Sequence, residues 1–227
     1  MILDDKIVRV TPTIIGHEIY TLDVPQDSII IEQLEKWRKS IDWEDAFLST
    51  GNRLGEYEQH DDAEEIIENH VSENHLHKVM SEDDHSWDFG TSNLVELNFE
   101  SNYHDKIYST IKKYLHIEGF NYDHPSGCFW YPPTGYMSWH TNADNGGYRV
   151  YANWVPEDNK SFIRLRDPNT GNIITSWDKK GWQFRMFLCK EEPAEDVTWH
   201  CIYSDTNRLS LGCHFYKDGE SSNMIKS

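Results

Sequence analysis

The stretch GYMSWHTNADNGGYRVYANW, residues 135–154, contains two runs of strand-forming residues separated by a polar turn. The runs GYMSWH and YRVYANW are rich in aromatic and β-branched residues, whereas NADNGG contains the residue types that favour turns. His140 ends the first run, and Asn142 and Asp144 follow it within the turn. The stretch therefore predicts two neighbouring strands, with a histidine at the point where the chain leaves the first one.

Similar runs, separated by Gly, Pro and Asn, continue on both sides of this stretch. Eight short strands within about 90 residues favour a double-sheet jelly roll or a small barrel, which can hold a ligand in its mouth. The eight predicted strands are CFWY (128–131), GYMSWH (135–140), YRVYANWV (148–155), SFIRLRD (161–167), NIITSW (172–177), WQFRMFLC (182–189), DVTWHCIY (196–203) and RLSLGCHFY (208–216).

The chain before Pro125 has a different pattern. Apolar residues at helical spacing predict helices in DSIIIEQLEKWRKSI (27–41) and YHDKIYSTIKKYL (103–115). The segment DAEEIIENHVSENHLHKVM (62–80) is either a very polar helix or a structured loop, and SNLVELNFE (92–100) is strand-like. We expect the helices to cover one of the two sheets.

These patterns predict a mainly β protein with some α-helix, whose core is a double-stranded β-helix of the jelly-roll, cupin-like type. We expect one domain over residues 1–227. Residues 1–125 would form a helical and loop-rich cover, residues 126–217 the core, and residues 218–227 a tail.

The formal net charge of −18 disfavours binding to nucleic acid or to an anionic membrane, because both require clustered Lys and Arg. No apolar run is long enough to span a membrane, and the first ten residues do not resemble a signal segment. The four cysteines have no CxxC spacing, so we expect reduced thiols and a cytoplasmic location.

Three further residues on the predicted strands have side chains that bind metals or anions. His200 lies in the seventh run, and Arg208 and Ser210 begin the eighth. Because side chains alternate along a strand, Arg208 and Ser210 point to the same face. A guanidinium and a hydroxyl on one face are suited to hold a carboxylate. Arg208 and Ser210 therefore predict a carboxylate clamp, and His140 and His200 are candidate metal ligands on two other strands.

Eight strands, a histidine after strand two, a second histidine on strand seven and Arg-x-Ser on strand eight resemble the Fe(II)- and 2-oxoglutarate-dependent oxygenases. The resemblance covers residues 128–216. It implies that His140 and His200 bind iron, and that Arg208 and Ser210 hold the distal carboxylate of 2-oxoglutarate. By the same resemblance His140, His200 and Arg208 are the catalytic residues.

The resemblance is incomplete at the third iron ligand. The family motif is His-x-Asp/Glu, and this chain has Asn142 at that position, with Asp144 two residues further on. Asp144 supplies the carboxylate from a longer loop, or Asn142 coordinates through its amide oxygen, or the two histidines and water hold the metal. The last arrangement resembles the aspartyl/asparaginyl β-hydroxylase branch, and we favour it, with Asp144 second. Non-haem iron otherwise prefers two imidazoles and one carboxylate.

The resemblance implies a dioxygenase that hydroxylates an unactivated C–H bond and releases succinate and CO₂. Its cofactor is Fe(II), and its co-substrates are 2-oxoglutarate and O₂. The β-hydroxylase branch favours a peptide or protein side chain as substrate over a free small molecule. Nucleic acid and membranes are not expected partners.

Each of these residues also has an ordinary structural explanation. A buried histidine often only donates to a backbone carbonyl, and an arginine often forms an ion pair. His214 falls on the same strand face as Ser210, and we expect it to be a hydrogen-bonded core residue. The alternatives are a jelly-roll module that binds a metal or ligand without turnover and a structural jelly roll. A cysteine hydrolase is disfavoured, because Cys201 points away from the adjacent His200.

Overall fold

The computed structural model describes residues 6–44, 53–54, 62–81, 91–92, 94–97, 102–142, 146–190 and 197–219. The strands are β1 Val8–Val10, β2 Thr13–Gly16, β3 Ile19–Leu22, β4 Arg53–Leu54, β5 Thr91–Ser92, β6 Leu94–Glu96, β7 Leu115–Ile117, β8 Phe120–Tyr131, β9 Gly135–His140, β10 Gly147–Val155, β11 Ser161–Arg166, β12 Ile173–Trp177, β13 Gly181–Cys189, β14 His200–Ser204 and β15 Arg208–Lys217. The helices are α1 Ile29–Ser40, α2 Ala63–Ile66, α3 Glu73–Ser81 and α4 Asn102–Tyr114, with a π-helical turn, Ile67–Val71, between α2 and α3.

The eight strands from β8 to β15 form two facing sheets. The larger sheet contains the order β8-β15-β10-β13, and the smaller sheet contains β12-β11-β14-β9. The chain passes from one sheet to the other between most successive strands. This strand order is a double-stranded β-helix, or jelly roll, and it confirms the fold class predicted from the sequence.

The N-terminal part packs on the outer face of the larger sheet. Helix α1 begins after Ser28, whose hydroxyl accepts a hydrogen bond from the backbone N–H of Ile31. Its apolar side chains, including Leu34 and Trp37, are buried in one core with α4 and with the outward residues of β10, β13 and β15. The expected helical cover is therefore present. Its apolar side chains bury the outer face of the larger sheet.

The larger sheet extends beyond the jelly roll through strands that the sequence pattern did not predict. Strand β3 pairs with β13, β2 pairs with β3, and β1 pairs in parallel with β7. Each of these strands has only three or four residues, which is too short for period-two alternation to be recognised. Strand β8 is also longer than predicted, because residues before Pro125 continue the pairing with β15.

Within the described ranges, no helix combines the length and the apolar composition that crossing a bilayer requires. The cytoplasmic location and the division into cover, core and tail stay predictions.

Candidate metal and carboxylate site

A cavity of about 230 Å³ opens between the two sheets of the jelly roll. Its wall is mostly apolar and aromatic, with a few polar groups that converge from both sheets, as is usual for a small-molecule site. The lining residues are Phe129, Tyr131, Met137, His140, Asn142, Tyr151, Asn153, Ile163, Arg185, His200, Ile202, Arg208 and Ser210.

The two predicted histidines meet at one part of this cavity. His140 ends β9, His200 begins β14, and the two residues are directly paired across these antiparallel strands. Directly paired residues point to the same face, so the imidazoles lie side by side, with ring centroids 4.0 Å apart. Both side chains are almost fully buried. The register of the sheet therefore brings together two residues that are 60 positions apart in the chain.

Backbone carbonyls fix the orientation of both rings. Nδ1 of His140 lies 2.7 Å from the carbonyl oxygen of Ser138, and Nδ1 of His200 lies 3.2 Å from that of Thr198. A backbone carbonyl can only accept, so each Nδ1 carries the proton and donates it. In that tautomer Nε2 carries the lone pair that a metal ion binds.

Both imidazoles are neutral at physiological pH. Burial lowers the pKa of His140 to about 4, although the bond to Ser138 opposes this shift. Burial, followed by the proximity of His140, lowers the pKa of His200 well below its usual value. Neutral imidazole is the form that ligates metals, so no deprotonation step precedes metal binding.

Asn142 reaches the same place from the turn after β9. It has a positive φ of 52°, and its side-chain Nδ2 lies 2.9 Å from Nε2 of His200. Two ligands at right angles on one ion, with bonds of about 2.1 Å, are about 3.0 Å apart. The side-chain amide of Asn142 is thus close enough to Nε2 of His200 to occupy the neighbouring coordination position of a metal ion bound there. Asp144 lies outside the described residues.

Arg208 and Ser210 face the cavity from β15. Arg208 is 1% exposed, and its Nε donates to Oδ2 of Asp178 at 2.8 Å. Its Nη1 is buried and has no hydrogen-bond partner among the residues that the structure describes. Ser210 lies two residues further along the same face, opposite Asn153 of β10, which also lines the cavity. One edge of the guanidinium is anchored, and the other is available to a ligand.

Sequence reasoning missed the two residues that complete this end of the cavity. Asp178 is fully buried, and its other oxygen, Oδ1, accepts a hydrogen bond from Nη1 of Arg185 at 2.7 Å. Burial raises the pKa of Asp178, but Arg208 and Arg185 outweigh this effect and lower the value to about 2. Two guanidinium groups thus share one carboxylate. The three buried side chains together carry one positive charge in excess.

These donors fit the group that the resemblance implies. Two neutral imidazoles beside an amide are suited to a transition-metal ion. At the other end, an unpartnered Nη1, a hydroxyl and an excess positive charge are suited to a carboxylate. Burying an uncompensated charge is unfavourable, so an anion bound there would stabilise the site.

The outer face of β9 rests on the π-helical turn and on α3. The Ser138 hydroxyl donates to the carbonyl of His70, and the Trp139 indole donates to that of Ser72. His75 hydrogen bonds to the Ser138 hydroxyl from α3. Single π turns occur often at functional sites. Here the turn holds the strand that ends in His140.

Several neighbouring residues lie away from the cavity. Trp139 and Trp199 pack in a separate apolar cluster on the outer face of the smaller sheet, because each is next to a histidine that points inward. Cys201 lies in the same cluster, and burial raises its thiol pKa well above the usual value. The described geometry therefore gives no support to a cysteine hydrolase.

His214 lies on the inner face of β15, as its spacing predicts, but beyond the cavity. The prediction that its ring is hydrogen-bonded is wrong. Both ring nitrogens are buried, and neither has a hydrogen-bond partner within the described part of the chain. The period of the strand fixes the face of a side chain but not its partners.

Comparisons with known proteins give a weak structural likeness. No family model and no curated protein matches the chain. It is similar to a prolyl hydroxylase from Trichoplax adhaerens, in complex with a hypoxia inducible factor oxygen degradation domain peptide fragment, with a TM-score of 0.33 and 13% identity over 55% of this chain and 57% of that chain. It is also similar to a Pseudomonas putida prolyl-4-hydroxylase, with a TM-score of 0.32 and 17% identity over 55% of this chain and 70% of that chain.

The chain spans little more than half the length of the Trichoplax protein. At such scores and identities the likeness assigns neither a family nor an activity. The fold assignment rests on the strand order of the chain itself.

Proposed function

We propose that the chain is an Fe(II)- and 2-oxoglutarate-dependent oxygenase. In the proposed reaction O₂ and 2-oxoglutarate convert a C–H bond of the substrate to C–OH, and the by-products are succinate and CO₂. The proposal is supported by the residues that converge on the jelly-roll cavity. It also agrees with the order of His140, His200, Arg208 and Ser210 along the chain.

The unpartnered Nη1 of Arg208 carries the proposal. This nitrogen is buried, and Arg208 lines a cavity whose other polar residues include Ser210 and the two neutral histidines. A metal-binding module without a keto-acid co-substrate has no need for a buried guanidinium that is held on one edge and open on the other. A dicarboxylic keto acid, bound to a metal at one end, supplies the missing acceptor at its far end.

Each residue has a defined task in this proposal. Nε2 of His140 and Nε2 of His200 would hold iron, with the third protein position taken by Asp144, by the amide oxygen of Asn142, or by water. For Asn142 to ligate, its amide must turn so that Oδ1 replaces Nδ2 beside His200. Arg208 and Ser210 would hold the distal carboxylate, with a charge-assisted bond worth about 1.5–3 kcal/mol.

The rest of the cavity orients the co-substrate and excludes water. Phe129, Met137 and Ile202 contribute apolar walls, and Asp178 keeps the Arg208 side chain in place. When bound, iron and 2-oxoglutarate supply the oxidising chemistry that no protein side chain can provide. Binding in a dry, preorganised cavity requires little rearrangement of these walls.

The substrate class follows from charge and from the resemblance. A net charge of −18 disfavours nucleic acid, because its phosphates would be repelled. We propose a peptide or protein side chain as substrate, with a free small molecule as the alternative.

The first test is an anaerobic titration of the metal-free protein with Fe(II), with and without 2-oxoglutarate. We expect a weak visible charge-transfer band only when both are present, because the keto acid must chelate the metal. His200→Ala should abolish the band. Arg208→Leu should weaken 2-oxoglutarate binding by about 10- to 100-fold, since it removes a charge-assisted hydrogen bond.

Two exposed residues provide matched controls. His116 and Arg9 are exposed on the short strands β7 and β1. His116→Ala and Arg9→Leu should leave the band and the 2-oxoglutarate affinity unchanged. A folded wild-type protein that gives no band would overturn the oxygenase proposal. Iron binding without any release of succinate, across a panel of peptides and amino acids, would favour the non-catalytic jelly-roll module.

A further inference from the structure

A second group of metal-binding side chains lies at another part of the larger sheet. Asp123 and His124 are on β8, and His214 is on the neighbouring strand β15. The two imidazoles are stacked, with ring centroids 4.2 Å apart and planes 16° from parallel. Nδ1 of His124 lies 2.6 Å from Oδ2 of Asp123. One potential ligand atom from each of the three residues lies within 4.8 Å of the other two.

An irregular part of the sheet brings these side chains together. The pairing of β15 with β8 shifts register between Leu211 and Cys213, and again between Cys213 and Phe215. Side chains of adjacent strand residues normally point to opposite faces. A bulge re-aims them and is frequent beside functional sites. The shift therefore explains how both Asp123 and His124 reach His214.

His214 is the residue that ordinary packing does not explain. It has no exposed surface, and neither ring nitrogen has a hydrogen-bond partner among the described residues. A glycine, Gly147, stands beside the ring, and a Cβ there would come within 3.1 Å of Nδ1. A buried imidazole without a partner needs a ligand or a water molecule to satisfy it.

We propose that Asp123, His124 and His214 form a second metal site. It would bind a divalent transition-metal ion such as Zn(II) and thereby cross-link β8 and β15. Two imidazoles and one carboxylate are a common protein ligand set for Zn(II), with a fourth position for water. Zinc bonds of about 2.0–2.2 Å require the ligand atoms to approach to about 3.4 Å. His214 is held by the core, so the other two residues must move.

The two residues that must move have room to do so. The side chains of His124 and Asp123 are 44% and 38% exposed. Binding requires the His124 ring to tilt out of the stack, so that its lone pair and that of His214 converge. The ion would also replace the proton shared between His124 and Asp123.

The local charges are compatible with a neutral imidazole ligand. Burial, followed by the neighbouring charges of Arg149 and His124, lowers the pKa of His214 to about 3. Arg149 lies directly opposite His214 on β10, and its charge opposes a bound cation. The carboxylate of Asp123 offsets that charge, so the site depends on Asp123 as well as on the two rings.

The second site is separate from the cavity. His214 lies four residues beyond Ser210 on β15, which corresponds to about 13 Å along a strand. The two sites can therefore be counted independently. The second one holds strands together and takes no part in the proposed hydroxylation.

The test is a Zn(II) titration of the metal-free protein by calorimetry. We expect two equivalents in the wild type, one of which is lost in His214→Ala and in His124→Ala. Asp123→Asn should weaken this equivalent by at least tenfold. His200→Ala should lose the other equivalent, and His116→Ala, an exposed control, should retain both. Zn(II) should also raise the melting temperature of His200→Ala, in which only the second site remains, but not that of the double variant His200→Ala/His124→Ala.

Each outcome separates the two proposals. One equivalent in the wild type that is lost in His124→Ala and kept in His200→Ala would support the second site alone. One equivalent with the opposite pattern would overturn it. Unchanged stoichiometry and affinity in His124→Ala would also overturn it. This variant is informative because the His124 side chain is half exposed, so its removal takes away little buried contact.

Discussion

Two histidine pairs among the described residues, His140–His200 and His124–His214, are built differently. In the cavity, His140 and His200 are paired across two strands, and each ring donates to a backbone carbonyl. In the second pair, His124 is held by a carboxylate, while the ring nitrogens of His214 have no partner among the described residues. The cavity is preorganised before any ligand arrives, whereas the second pair must rearrange to bind one.

Both pairs consist of the same residue type, histidine. They differ in the groups that orient the imidazole rings. The same contrast applies to Arg208, whose guanidinium is anchored by Asp178 on one edge only. A preorganised donor loses little entropy on binding, and it can favour one ligand geometry.

The largest expected effect is that of Asp178→Asn. This change leaves Arg185 and Arg208 buried without a counter-charge, and breaking a buried ion pair on one side typically lowers the free energy of unfolding by about 3–5 kcal/mol. Urea unfolding followed by tryptophan fluorescence measures it. Asp205→Asn is the matched control, because its ion pair with Lys160 is exposed and should contribute less than about 1 kcal/mol. Equal losses for the two variants would show that Asp178 is not a buried anchor.

The second prediction concerns acid. The pKa of Asp178 is lowered from 3.8 to about 2 in the folded protein, so its ionised form is favoured by folding. The resulting stabilisation, about 2–3 kcal/mol, is fully present above pH 4 and is lost as the pH falls through 2. Unfolding free energies between pH 5 and pH 2 should therefore fall less steeply in Asp178→Asn than in the wild type. Parallel curves would contradict the lowered pKa.

Asp178 also marks the limit of what the sequence could predict. It follows strand β12 and precedes Lys179, Lys180 and a glycine, a composition that indicates an exposed turn. Its partners Arg185 and Arg208 lie on other strands, and only the sheet order brings all three together. Alternation along β15 predicts that Arg208 and Ser210 share a face. It cannot predict that Asp178, which follows β12, forms a hydrogen bond with Arg208.

The fold itself was predictable to a greater extent. Runs of apolar and aromatic residues between turns predict the eight jelly-roll strands, and all eight are present in the structure. His124 was missed because it stands between acidic and proline residues, in a segment that has no strand pattern, and it pairs with β15 only through a bulge. Local pattern thus predicts regular strands well and irregular ones poorly.

The third prediction compares the two histidine pairs directly in the metal-free protein. His214→Phe should raise the free energy of unfolding by about 1–2 kcal/mol, because it removes buried nitrogens that lack hydrogen bonds and keeps the stacked ring. His200→Phe should lower it by a similar amount, because the carbonyl of Thr198 loses its donor. Thermal and urea unfolding measure both changes. If both variants lose stability equally, His214 is satisfied in solution and the contrast between the pairs is wrong.

The smallest expected effect is that of Ser210→Ala. The hydroxyl lies beside Arg208 on the cavity face and would add one hydrogen bond to the distal carboxylate of 2-oxoglutarate. Losing that bond, worth about 0.5–1.5 kcal/mol, should raise the KM for 2-oxoglutarate by about 2- to 13-fold without lowering kcat. Ser176→Ala is a useful comparison. The Ser176 hydroxyl accepts a hydrogen bond from Nε of Arg185, but Ser176 is not among the residues that line the cavity. A fall in kcat for Ser210→Ala with an unchanged KM would place the hydroxyl at the reacting end of the cavity and remove it from the carboxylate clamp.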